Sequence, residues 1–263
     1  MDSRPCEALR FVLLKYEKRK KEMKNQKHLL KTVVLAMLIA LGVVISPILR
    51  FEGMCPMAHL INITCSVLLG PWYSLLCATL IGIIRMAFMG IPPIALTGAI
   101  FGAFLSGVFY RVSKGKLLFA VLGEIIGTGI IGAILSYPVM TIFWGKEGLT
   151  WLFYVPSFIC GTLIGGSIAF VFLKRLTKMG VLAKFQTMLA SKSYTDNGSD
   201  TENAFTIAAL GVILYLIIEI LTGIFKLTSP VWSYISYTAL TGFIFVAIAY
   251  FIKKKVQNNA NRS

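Results

Sequence analysis

Eight apolar runs divide this chain of 263 residues, and none shows the strict alternation of a half-buried strand. Runs of that length do not stay in water. In lipid, every backbone N–H and C=O must find its partner within the spanning structure, and uninterrupted apolar runs meet that condition as helices. The runs fall at 32–49, 57–69, 72–89, 94–110, 117–143, 150–173, 204–225 and 231–252. The second is short, so it spans with help from its flanks or is partly re-entrant. The chain is 57% hydrophobic and 14% charged, with mean hydropathy +0.78, which separates it from soluble domains. The expectation is an all-α integral membrane protein with eight spans.

The net charge of +15 would suit nucleic acid, but its placement points elsewhere. Ten of the 26 Lys and Arg lie in residues 1–31, three in 111–116, five in 174–203 and four beyond 252. With the N-terminus inside, all of these are cytoplasmic, and the opposite loops hold only Arg50, Lys146 and Lys226. That is the positive-inside pattern. It predicts a multi-pass protein of the cell membrane with both termini cytoplasmic, touching anionic lipid and no nucleic acid. The stretch "CEALRFVLLKYEKRKKEMKNQKHLLK" reads as a basic, partly amphipathic surface helix. No small-x-small cleavage site follows the first run, so a signal peptide is not expected. The five Cys are scattered and form no C-x-x-C, which indicates neither a metal site nor a disulfide frame.

Four segments follow. Residues 1–31 are a basic arm, and 32–173 form a six-span core with short loops. Residues 174–203 are a cytoplasmic linker that includes the polar "ASKSYTDNGSDTEN", and 204–263 hold two further spans and a basic tail. Small residues are spaced four apart within the core, at Gly98 and Gly102, Ala103 and Gly107, Gly123 and Gly127, and Gly161 and Gly165. Lipid gives helices no hydrophobic reason to associate, so this spacing predicts close backbone packing. In the first span, "LAMLIALGVVISP" puts Ala36 and Ala40 on one helix face.

Chemistry is sparse. There is no G-x-x-x-x-G-K-[ST] loop and no H-E-x-x-H, and no nucleophile–base pair is visible, so the reading is a non-enzyme without cofactor or metal. Polar groups at membrane depth are costly and therefore informative. His59, Asn62 and Ser66 form one stripe on span 2, and the first two are candidate ligand contacts near the outer end. Arg85, in the outer half of span 3, is a third candidate. Glu124, in the inner third of span 5, reads as structural or coupling rather than ligand-binding, and Glu219 suggests no role. Aromatics gather toward the outer surface: Tyr137 and Trp144, then Trp151, Tyr154 and Phe158. The interfacial belt accounts well for Trp144 and Trp151, less well for the deeper Tyr137.

Six spans, an inside N-terminus and the Ala36/Ala40 pair resemble the substrate-binding S components of energy-coupling factor (ECF) vitamin transporters. The segments "CPMAHLINITCSVLLGPWYSLLCATLIGIIR", "GAIFGAFLSGVFYR" and "GEIIGTGIIGAILSYPV" resemble the ThiW type over about residues 32–173. The resemblance implies a six-helix S-component bundle with two appended transmembrane helices. It further implies capture of the hydroxyethylthiazole precursor of thiamin, and work with a scaffold T component and two cytoplasmic ATPases. Ala36 and Ala40 would be the scaffold-coupling pair. Substrate contacts are expected at His59, Asn62, Arg85, Tyr137, Trp144, Trp151 and Tyr154, with loops 50–57 and 90–97 as lids. The alternatives are a stand-alone secondary transporter and a membrane-embedded enzyme using His59, Arg85 and Glu124.

Overall fold

The computed structural model describes residues 4–48, 55–194, 200–224 and 229–260, and every element among them is helical. The helices are α1 (Arg4–Ile48), α2 (Pro56–Leu69), α3 (Pro71–Met89), α4 (Ile94–Val112), α5 (Leu117–Ile142), α6 (Val155–Lys178), α7 (Val181–Met188), α8 (Asp200–Ile224) and α9 (Pro230–Ala260). Prolines open α2, α3 and α6, where the missing N–H is an orphan in any case and φ is already helical. Gly90, at φ +62°, closes α3 in the left-handed conformation.

The basic arm is not a separate surface helix. It runs straight into the first span as one 45-residue helix. Between Pro5 and Gly42 no residue breaks it, and Lys, Glu, Leu, Met and Ala all favour the helix.

Among the described residues seven helices are long and apolar enough to cross a membrane: α1, α3, α4, α5, α6, α8 and α9. The expected eighth span is α2, short as its sequence implied: its 14 residues reach about 21 Å, less than the roughly 30 Å hydrocarbon layer. Eleven of its residues are buried, so protein rather than lipid surrounds it and full crossing is not required of it. Helices α1, α3, α4, α5 and α6 all pack on it. Gln186 on α7 completes its C-terminal turn. The Nε2 of Gln186 donates to the Val67 carbonyl at 3.0 Å and to Tyr110 Oη at 3.1 Å. A carbonyl that α2 leaves without an intrahelical partner is thereby satisfied.

Helix α7 lies within the segment expected to be a linker. Leu182, Gln186 and Leu189 recur at i, i+4 and i+7, and all three are buried. Polar composition hides that stripe, because Gln186 is one of its members. Part of the remaining polar stretch, 195–199, lies outside the described residues.

Helix α8 docks on α6. Phe170 and Phe205 meet edge to face at 4.7 Å, and the buried Lys174 Nζ donates to the Glu202 carbonyl at 2.9 Å, Asn203 Oδ1 at 3.0 Å and Thr206 Oγ1 at 2.6 Å. Helix α9 packs along α8, where Ser236 Oγ donates to Glu219 Oε1 at 2.7 Å. Glu219 thus ties the two last helices together.

The glycine spacing does become backbone contact. A methyl group on Gly123 would lie 2.6 Å from the Leu105 carbonyl oxygen, and one on Gly132 would lie 2.8 Å from that of Gly98. Helices α4 and α5 therefore touch main chain to main chain. Between those glycines, Ile125–Gly132 of α5 winds as a π-helix, a form frequent at functional sites and not expected from the sequence.

Candidate ligand cavity

Within the bundle lies a cavity of about 100 Å³, walled by α2, α3, α4, α5 and α6 and by the 90–93 connection. An apolar cavity of about 150 Å³ takes benzene, so this one is on the scale of a single small ring. Most of its wall is apolar: Ile81, Ile91, Ile94, Ala99 and the face of Phe158. Its polar lining comes from His59 and Asn62 on α2, Arg85 on α3, Thr128 in the π segment and Ser157 on α6, with the Cys55 thiol at the head of α2.

Three of these side chains are held by one carboxylate. Glu124 is fully buried, and its Oε1 accepts from His59 Nδ1 at 2.9 Å, Asn62 Nδ2 at 3.0 Å and Thr128 Oγ1 at 3.1 Å. The cluster fits because α4 has no side chain at Gly102. A methyl there would collide with Thr128 Oγ1 and lie 2.8 Å from Glu124 Oε2. A carboxylate only accepts, so Nδ1 of His59 carries the proton, and in the neutral ring Nε2 is left as an acceptor. Asn62 gives one of its two amide N–H groups to Glu124, which leaves the other N–H as a donor and Oδ1 as an acceptor.

Arg85 is different. It is 5% exposed, its Nη2 meets Cys55 Sγ at 3.6 Å, and its Nε has no partner. Among the described residues no carboxylate pairs with it.

The cavity brings His59, Asn62 and Arg85 together as a lining. The four aromatic candidates are elsewhere. Tyr137 packs against Trp151 with ring centroids 4.5 Å apart and planes tilted by 43°, Trp144 and Trp151 are more than half exposed, and Tyr154 is buried with its ring centroid 6.0 Å from that of Phe158. None of the four is among the residues that line the cavity. Phe158 is its aromatic wall, a turn beyond Tyr154 on α6. Ser66 faces Ser106 of α4 at 2.8 Å instead of the cavity. Of the expected lids, Ile91 of the 90–93 connection does line the cavity, and 50–54 lie outside the described residues.

Glu124, read from the sequence as structural or coupling, is not among the residues that line the cavity but holds three that are. Counting depth from span ends set it well below His59 and Asn62. That count assumes every helix crosses fully, whereas α2 is short and its polar stripe sits deeper. The available signal was a carboxylate inside a small-residue stripe, "GEIIGTG", where little else can fill the space.

The protein-family model described as Thiamine-precursor transporter protein (ThiW) matches residues 32–179. No curated protein and no solved structure matches the chain.

Proposed function

The chain belongs to the ThiW family of thiamine-precursor transporter proteins, and from that premise we propose that it is the substrate-capture (S) subunit of an ECF-type importer. Its ligand in this reading is the hydroxyethylthiazole precursor of thiamin. Its partners are a scaffold T component and two cytoplasmic ATPases, and residues 32–173 are the working unit. The observation that carries the reading is the cavity: one ring in size, mostly apolar, with a few convergent polar groups. At a ceiling of about −1.5 kcal/mol per heavy atom, a ligand of roughly nine heavy atoms reaches nanomolar affinity only if nearly enclosed, which in this reading requires the 90–93 connection to close over it. Phe158 would stack on the ring, His59, Asn62 and Arg85 would bond its polar atoms, and Ile91 would move with the 90–93 connection as a lid.

Calorimetry on the purified protein with hydroxyethylthiazole, its phosphate, thiamin and a hydroxymethylpyrimidine tests the ligand. Tight binding of the thiazole and at least 100-fold weaker binding of the others is the expected result. Absence of thiazole binding would overturn the assignment.

The coupling part has its own test. Ala36 and Ala40 lie exposed on α1, on the side turned away from the buried Leu35 and Leu38. Small side chains there let a partner helix come close. The double variant Ala36→Leu, Ala40→Leu should bind ligand as the parent does but fail to co-purify with the scaffold. Normal assembly and uptake by that variant would reduce the pair to ordinary lipid-facing residues.

A further inference from the structure

The polar groups of the cavity are sorted by kind. At the Glu124 side acceptors predominate: Asn62 Oδ1, the Nε2 of a neutral His59 ring and Glu124 Oε2, which has no partner among the described residues, against one remaining Asn62 N–H. At the Arg85 side, the groups left over are donors. A guanidinium has five N–H donors and no acceptor, and among the described residues Cys55 Sγ meets Nη2 while Nε has no partner. The two sides are separated along α2. Cys55, which Arg85 touches, precedes His59 by four residues and Asn62 by seven, about 6 and 10 Å of helix. Ile81, Ile91 and Phe158 supply apolar wall to the same cavity. A buried guanidinium without an acceptor is expensive, so its site calls for an acceptor from the ligand.

We infer that the cavity reads its ligand at two opposite edges. Arg85 takes a ring acceptor at one edge, and Asn62 with His59 takes a hydroxyl donor at the other, so that a neutral one-ring alcohol binds in one orientation and its phosphate ester is rejected. This rests on the ligand reading above and deepens it. Hydroxyethylthiazole has one donor, its hydroxyl, and the ring nitrogen is an acceptor on the far side of the ring. The hydroxyl therefore goes to the acceptor edge and the nitrogen to Arg85. Phosphorylation would replace that hydroxyl by a dianion next to the Glu124 cluster, in a cavity already filled by the ring. Two residues then determine specificity separately: Arg85 reads the ring, and Asn62 reads the substituent.

The experiment is a cycle between protein and ligand, read by calorimetry. The probes are hydroxyethylthiazole, 5-ethyl-4-methylthiazole, which lacks only the hydroxyl, and the phosphate ester. The proteins are the parent, Arg85→Met, Arg85→Lys and Asn62→Ala, each checked for monodisperse folding. Loss of a hydrogen bond to a charged or buried group is expected to cost on the order of 30-fold in affinity. Asn62→Ala should weaken the alcohol by that factor and leave the deoxy analogue nearly unchanged, because the hydroxyl is the atom it reads. Arg85→Met should weaken alcohol and deoxy analogue alike, and Arg85→Lys should recover part of both. The parent should bind the phosphate at least 100-fold more weakly than the alcohol. The inference is overturned if hydroxyl removal couples to Arg85 and not to Asn62. It is equally overturned if the parent prefers the phosphate over the alcohol, a comparison that needs only the parent and so holds even if the variants fail to fold. A parent that binds none of the thiazoles sinks the ligand reading itself, and this inference with it.

Discussion

Replacing Glu124 by alanine should destabilise the protein by about 3 kcal/mol or more and abolish measurable ligand binding. Three donors converge on one oxygen of this side chain, from His59, Asn62 and Thr128. Removing it strands all three in a site from which water is largely excluded, and an unpaired buried donor costs about 1–3 kcal/mol. Thr128 can relieve itself by turning to a carbonyl one helical turn back. His59 and Asn62 have no such local alternative, since each reaches across from α2 to α5. With the acceptor gone, the imidazole is free to change tautomer and the amide to turn over, so the cavity loses the acceptor edge that would meet a ligand hydroxyl. Glu124→Gln keeps an acceptor at the Oε1 position and should fall between parent and alanine in both respects. Thermal unfolding in detergent and calorimetric binding on the same preparations check this. An alanine variant with parental stability and affinity would show the cluster to be incidental.

The second large effect is expected at Gly127. A methyl group there would lie 2.5 Å from both the Gly102 Cα and the Phe101 carbonyl oxygen. Those atoms are main chain, so no rotamer change clears them, and α4 and α5 must separate. Overpacking of this kind typically costs about 1–3 kcal/mol, and more where backbone must move. Separation also widens the cavity, because Gly98 and Ala99 of α4 and Thr128 of α5 are in its wall. Gly127→Ala should therefore lower both thermal stability and ligand affinity. Gly242→Ala on α9 is the matched control, since nothing lies within 4 Å of a methyl placed there, and it should behave as the parent. Equal behaviour of the two variants would mean that α4 and α5 do not depend on that contact.

Several particulars of this protein could be read directly. The ends of α3, α4 and α5 fall within about two residues of the apolar runs at 72–89, 94–110 and 117–143. The glycine spacing on α4 and α5 forecast the contact it makes, because only a missing side chain lets two main chains meet in lipid. His59, Asn62 and Arg85 were singled out because a polar group at that depth needs a reason, and all three line one cavity. The aromatic candidates fared differently. Depth alone cannot tell a ring that faces a cavity from one that faces its neighbour, and Tyr137 lies against Trp151. Phe158, equally visible in the sequence, is the ring in the wall.

What the sequence by itself determined is the membrane-helical class, the position of each apolar helix and the set of polar groups that must be accounted for. These are properties of single residues and short windows: transfer of side chains into lipid, and backbone hydrogen bonds closed within a segment. The meeting of those polar groups was decided by tertiary structure alone. His59 and Glu124 are 65 residues apart. Their contact joins a short, buried α2, whose last turn Gln186 of α7 completes, to an α5 that winds as a π-helix directly after Glu124. The short helix and the π winding are small displacements in depth and rotation. Such displacements add up along a helix, and no local pattern of residues records their sum.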